Sequence, residues 1–118
     1  MLKLLKLIKK SAQISEELNM FDFQLSEKQE VLEKYFNQEN GLSLVLFPKK
    51  QKQKYLCLLW IKDLFTPEKI YTEKEVNEIL RKVYPDFVMI RRYLIDYHLL
   101  YRKADGSSYW KNQEVENE

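Results

Sequence analysis

Arginine and lysine side chains supply most of the candidate chemistry in this sequence. Arg91 and Arg92 are adjacent, and lysines recur at Lys49, Lys50 and Lys52. A guanidinium group can bind two phosphate oxygens at once or read the O6 and N7 atoms of guanine, whereas an ammonium group contacts phosphate as a point charge. This pattern indicates binding of a polyanion such as double-stranded DNA. A solvated lysine face is the alternative.

The two adjacent arginines cannot have the same role. Consecutive helical residues lie about 100° apart, so at most one of them faces a ligand squarely. Both could instead form ion pairs within the domain, Arg91 with Glu75 and Arg92 with Asp96. We expect Arg91 to be structural and Arg92 to be exposed.

Further basic candidates flank a predicted hairpin near the C-terminal end. Its first strand carries Arg102 and Lys103, its second carries Lys111, and these side chains could contact a DNA backbone or minor groove. Met89 shares one side of the preceding predicted helix with Arg92. The complete predicted DNA-binding set is Arg92, Arg91, Met89, Lys49, Lys50, Lys52, Arg102, Lys103 and Lys111.

The composition excludes most enzyme classes. Among 118 residues there are one Cys, one His and two Gly. These counts cannot furnish an intramolecular disulfide framework, the usual structural zinc cluster or a glycine-rich phosphate loop. We therefore expect no catalytic residue, no metal and no cofactor. A single Cys fits the reducing cytoplasm.

Charge is distributed unevenly along the chain. Residues 1–48 carry a formal charge of −1, residues 49–111 carry +6, and residues 112–118 carry −3. A basic central segment suits a surface that faces a polyanion, although an ordinary solvated face has the same composition.

The first half of the chain contains two predicted helices and a strand. Ser26 and Gln29 have the spacing of a capping box, which predicts a helix over 27–37. An apolar run over 42–47 predicts a short strand that Pro48 ends. Within 49–65 a longer apolar run with few β-branched residues predicts a buried helix, in which Cys57 is a core residue.

The second half contains two predicted helices and a hairpin. Thr72 to Glu75 form a second capping box for a helix over 73–82, and Asp86 caps a helix over 86–97. We expect His98 to end that helix in the left-handed conformation, because His tolerates it better than most residues.

A hairpin is predicted at the end of this sequence of elements. Asp105-Gly106 lies between two apolar-rich runs, which is typical of a hairpin turn over 99–111. With a two-residue strand at Ile70–Tyr71, the order becomes helix, strand, helix, turn, helix and hairpin, as in a winged helix. The predicted fold class is therefore α+β, mostly helical: a helix-turn-helix with a β-hairpin wing and extra N-terminal helices.

The N-terminal segment resembles neither a secretion signal nor a membrane span. Lysines interrupt the apolar residues of positions 1–10, and no apolar stretch approaches about 18 residues. We interpret residues 1–25 as an amphipathic helical extension, residues 26–112 as the winged-helix-like domain and residues 113–118 as a disordered acidic tail. The extension could pack on its own domain, dock on a partner helix or lie on an anionic membrane; we favour the first and expect no membrane partner.

Three segments of the second half resemble the bacterial domain-of-unknown-function family 2087. They are Tyr71–Asn77 (YTEKEVN), Arg91–Tyr97 (RRYLIDY) and Asp105–Trp110 (DGSSYW), and the resemblance spans about residues 27–111. It implies a small winged-helix-like bacterial domain of the kind described as a transcriptional regulator. The family pattern usually has Gly where this chain has His98.

Two functions fit these observations. The first is DNA binding in bacterial transcription regulation, with double-stranded DNA as the partner. The second is a protein-interaction module on the same scaffold, which would bind a protein partner or form a homodimer through the N-terminal helix or the apolar surface of the third helix. Phe87, Val88, Met89 and Tyr93 favour the second function, because a DNA-reading helix usually carries more polar side chains.

Overall fold

The computed structural model describes residues 23–113 and has a mostly helical α+β fold, as predicted. Its helices are α1 (Leu25–Tyr35), α2 (Gln51–Lys62), α3 (Glu73–Arg81) and α4 (Phe87–Asp96), and its strands are β1 (Phe36–Asn37), β2 (Ser43–Leu44), β3 (Leu100–Arg102) and β4 (Tyr109–Lys111). Within the described residues the strands form two antiparallel pairs, β1 with β2 and β3 with β4. The predictions for residues 1–22 and 114–118 lie outside the described residues, and the winged-helix assignment stays a prediction.

The start of α1 differs from the prediction. The helix is capped at Gln24, whose backbone amide donates to Glu27 Oε1 at 2.9 Å, so Ser26 lies inside the first turn. The Ser26–Gln29 capping box is therefore wrong. The Glu27 carboxylate, three residues after Gln24, caps the helix at Gln24 instead. The helix therefore begins at Leu25, two residues earlier than predicted.

The predicted strand over 42–47 is also mostly wrong. Only Ser43–Leu44 pairs, and its partner is Phe36–Asn37 at the end of α1. The partner strand is only two residues long, so residues 45–47 have no neighbouring strand with which to form a ladder. Val45 and Leu46 are accordingly 66% and 61% exposed.

Helix α2 forms the centre of the core, as its apolar run predicts. All residues from Tyr55 to Leu59 are buried, and α1 and α4 pack against the helix. Cys57 is completely buried, and burial raises the pKa of its thiol to about 12. The thiol is therefore a core group, because a reactive cysteine needs an accessible thiolate.

Helices α3 and α4 begin at the predicted caps. Thr72 Oγ1 accepts from the Glu75 amide at 3.1 Å, and Glu75 Oε1 accepts from the Thr72 amide at 2.9 Å. Asp86 Oδ1 accepts from the Met89 amide at 3.2 Å. Each cap satisfies an amide that the helix itself leaves unpaired.

His98 ends the α4 region in the left-handed conformation, with φ 61°, as predicted. The Asn112 side-chain amide donates to its carbonyl oxygen at 2.6 Å. This contact fixes the turn between α4 and β3 to the residue that follows β4.

The hairpin has the predicted turn. Arg102 pairs with Tyr109 across the ladder, and Gly106 at the tip has φ 76°. The predicted strand at 70–71 is reduced to a single bridge, in which Tyr71 and Tyr109 exchange two backbone hydrogen bonds of 2.8 Å. This bridge joins the hairpin to Tyr71, two residues before the start of α3.

The longest of the described helices has 12 residues. None of the helices within residues 23–113 is long and apolar enough to cross a bilayer.

We expect Gly106→Val to lower the free energy of unfolding by about 1–3 kcal/mol, because a β-branched residue is strained at positive φ. Gly106→Asn is the matched control and should cost less, since Asn tolerates this region. Urea denaturation measures both variants. Equal losses from Val and Asn would contradict the conformational explanation.

Candidate nucleic-acid interface

One carboxylate joins the three elements that form the candidate site. Glu73 is the first residue of α3, and its Oε1 accepts from the Tyr109 hydroxyl at 3.1 Å. Its Oε2 lies 3.8 Å from Arg91 Nη1. The start of α3, one face of α4 and strand β4 therefore meet at this side chain.

Arg91 is directed into this junction, as expected of the structural arginine. Its guanidinium donates to Asn77 Oδ1, and its side chain is 19% exposed. The predicted ion pair between Arg91 and Glu75 is wrong, because the Glu75 carboxylate accepts a hydrogen bond from the Thr72 amide instead. Glu73 and Asn77 are four residues apart and share a face of α3, whereas Glu75 lies about 200° around the helix from Glu73.

Arg92 is exposed, as expected. The alternative, an i,i+4 ion pair with Asp96, does not form, and within residues 23–113 no ion pair of 4 Å or less involves Arg92. Met89, which was predicted to accompany it, is half-buried and packs against the core. Of these two residues, Arg92 is the one that a large ligand can reach.

A cleft of about 300 Å³ lies between α4 and the hairpin. It is lined by Glu73, Val88, Arg91, Arg92, Ile95, Asp96, Arg102 and Tyr109. The three arginines of the predicted site therefore share one surface, although they come from positions 91, 92 and 102 of the chain. The part that Glu73 and Tyr109 play in assembling the cleft is absent from the sequence-based set.

The hairpin presents two of its three predicted basic residues to solvent. Arg102 and Lys103 are exposed, and Arg102 Nη1 donates to the Lys103 carbonyl at 3.4 Å. Lys111 is half-buried, and its ammonium donates to the Phe65 carbonyl at 3.0 Å. Lys111 therefore braces the loop after α2, apart from the cleft.

The basic residues at the start of α2 differ in their availability. Lys49 and Lys50 are exposed, whereas Lys52 pairs with Glu27 Oε2 at 2.9 Å. This hydrogen bond with Lys52 is the main cause that lowers the pKa of Glu27. Lys52 therefore joins α1 to α2 and is less available to a ligand than its two neighbours.

Lys54 shows where this cluster lies relative to α4. Its ammonium sits 4.9 Å from the centre of the Tyr93 ring and 3.4 Å from the Tyr93 hydroxyl. Phe47 packs on the same ring, with centroids 5.4 Å apart. The N-terminal end of α2 is therefore adjacent to α4.

The site contains no recognisable metal centre. No group of three or more His, Cys, Asp or Glu side chains within residues 23–113 is placed to hold a metal ion. The pKa of the Tyr109 hydroxyl at the junction is raised, chiefly by burial and further by its hydrogen bond to Glu73. A protonated phenol that donates to a carboxylate is a structural arrangement at neutral pH.

Arg91→Ala is expected to lower the free energy of unfolding by about 1–3 kcal/mol, because the Asn77 amide oxygen and the Glu73 carboxylate lose a partner. Arg92→Ala, its matched neighbour, should change stability by less than about 0.5 kcal/mol. Urea denaturation measures both variants, and we expect their m-values to equal that of the unmodified protein. Similar losses from the two variants would contradict the division between structural and exposed arginine.

Comparison with known proteins identifies a family for the part of the chain that contains this site. No curated protein and no solved structure matches the chain. The model of the family described as "Uncharacterized protein conserved in bacteria (DUF2087)" matches residues 43–111, which is more than half of the sequence and includes the cleft and the hairpin. The chain therefore belongs to this bacterial domain-of-unknown-function family 2087, as its motifs predict.

Proposed function

We propose that this protein binds double-stranded DNA through α4 and the hairpin, and acts in transcription regulation in the bacterial cytoplasm as a binding protein without catalytic activity. The observation that carries the proposal is the position of Arg92 and Arg102. Both are exposed, both line the same cleft, and neither forms an ion pair within the described residues. Two guanidinium groups on one surface, neither of them in an ion pair, suit the oxygens of a phosphate backbone.

The surroundings of this pair extend the positive surface. Lys103 follows Arg102 along the hairpin and is exposed. On the other side of α4, the contact between Lys54 and Tyr93 brings the start of α2, with exposed Lys49 and Lys50, close to the helix. Basic groups on both sides of an exposed helix are the arrangement that positions a helix on a duplex.

Contacts to the DNA backbone should supply most of the affinity. Met89 is half-buried against the core, and among the α4 residues Arg92 is the exposed side chain with the hydrogen-bonding geometry for guanine. We therefore assign base reading to Arg92 alone and phosphate contact to Arg102, Lys103, Lys49 and Lys50. Binding of this kind is strongly salt-dependent and only modestly sequence-specific.

The alternative function, a protein-interaction module, has a specific observation of its own. Val45 and Leu46 are 66% and 61% exposed side by side. By contrast, the apolar surface of α4 is smaller than the sequence suggests, since Phe87, Met89 and Tyr93 are half-buried and pack against the core, and Val88 alone of the four is exposed, at 43%. This weakens one argument against DNA.

The test is a fluorescence-anisotropy titration of the full chain against mixed-sequence duplex at about 50 and 200 mM salt. We expect affinity to fall steeply with salt, because phosphate neutralisation releases condensed counterions. Arg92→Ala should weaken binding by about 1–3 kcal/mol and reduce sequence preference. Lys50→Ala should weaken all sequences alike and reduce the salt slope by about one.

Lys34→Ala is the matched control, because Lys34 is an exposed lysine of α1, which contributes none of the proposed DNA contacts. It should leave affinity unchanged. Absence of binding at 50 mM salt, or equal losses from Lys34→Ala and Lys50→Ala, would contradict the proposal and favour the protein-interaction function.

A further inference from the structure

The side chains that line the cleft between α4 and the hairpin carry more positive than negative charge. Three guanidinium groups line it, from Arg91, Arg92 and Arg102, against the carboxylates of Glu73 and Asp96. Glu73 is already occupied by the Tyr109 hydroxyl and faces Arg91. The lining therefore carries a net positive charge.

The hairpin tip keeps one of these guanidinium groups close to the start of α3. A Cβ atom at Gly106 would lie 3.4 Å from Arg102 Nη1 and 3.5 Å from Glu73 Oε1. The absence of a side chain at Gly106 thus leaves room for both charged groups beside the tip. Arg102 Nη1 also donates to the Lys103 carbonyl, which further restricts the guanidinium.

Guanidinium groups on two different elements favour a tetrahedral oxyanion. Arg92 lies on α4 and Arg102 lies on β3, whereas the Arg91 guanidinium beside them donates to Asn77 and faces Glu73. A carboxylate offers two oxygens in one plane, which suits a single bidentate arginine. A phosphate group presents oxygens in several directions and carries the larger charge.

The remainder of the lining suits a small organic group attached to that phosphate. Val88 and Ile95 supply apolar surface in the same cleft. A volume of about 300 Å³ is at the lower end of the range for small-molecule sites. The space exceeds what a bare phosphate needs and is small for an extended ligand.

From these observations we infer that the cleft binds a small phosphate monoester, with its phosphate held by Arg92 and Arg102. Phosphate binding does not depend on the proposed DNA function. Because the cleft shares Arg92 and Arg102 with the proposed DNA surface, a bound phosphate monoester would compete with a duplex where both bind.

The experiment titrates the full chain with inorganic phosphate and with glycerol 3-phosphate, and follows the arginine Nε–Hε signals by NMR. Sodium chloride at the same ionic strength is the reference. We expect saturable shifts of Arg92 and Arg102, with tighter binding of glycerol 3-phosphate than of inorganic phosphate. The Arg81 signal should not move, because Arg81 pairs with Glu78 on α3 and does not line the cleft.

Arg102→Gln tests the assignment, and Arg81→Gln removes the same charge elsewhere. Arg102→Gln should weaken phosphate binding about tenfold or more, since a charge-assisted hydrogen bond is lost, and Arg81→Gln should not. Unchanged amide spectra establish that each variant is folded, and Arg92→Gln is a second cleft variant. Shifts that do not saturate, shifts equal to those with chloride, or equal effects of Arg102→Gln and Arg81→Gln would overturn the inference.

The two proposals fail separately. Saturable phosphate binding without duplex binding would support the cleft and reject the DNA function. Duplex binding without any phosphate or glycerol 3-phosphate binding would reject the cleft as a small-molecule site and leave the DNA function standing.

Discussion

The Glu73 carboxylate holds together the surface on which the functional account depends. One of its oxygens accepts from the Tyr109 hydroxyl and the other faces the Arg91 guanidinium, so a single residue links α3 to both α4 and the hairpin. The backbone bridge between Tyr71 and Tyr109 repeats this connection a few residues away. Together they set the separation between Arg92 and Arg102, which lie on different elements.

Local interactions explain which parts of the fold were predictable from sequence. Helices α3 and α4 start where Thr72 and Asp86 cap them, because each cap is formed within three residues of the chain. The left-handed turn at His98 is local in the same sense. Helix α1 starts at Leu25, two residues before the predicted start, because Gln24 and Glu27 form the competing cap.

Long-range pairing explains what the sequence could not show. The apolar run over 42–47 has the composition of a strand, but only Ser43–Leu44 finds a partner, and the extent of that partner depends on where α1 ends. The Tyr109–Glu73 contact spans 36 residues and has no local signal. The pattern of apolar residues in the sequence therefore could not identify the short β1–β2 ladder or the contact between Tyr109 and Glu73.

The candidate site was predictable as a set of basic residues and unpredictable in its organisation. The division between a structural Arg91 and an exposed Arg92 follows from helical geometry. The predicted partner of Arg91 is Glu75, whereas its observed partners are Glu73 and Asn77. The i,i+4 spacing of these two residues places them on one face of α3 and could have indicated that face. Lys52 and Lys111 have internal partners that are distant in sequence, Glu27 and the Phe65 carbonyl.

The central claim is that α4 and the hairpin form one surface that binds a duplex. The most direct measurement is the change in backbone amide chemical shifts of the ¹⁵N-labelled full chain on addition of a short duplex at low salt. The account predicts that the largest changes fall in α4 and residues 100–111, with little change in α1. Changes centred on Val45 and Leu46, or no changes at all, would contradict it.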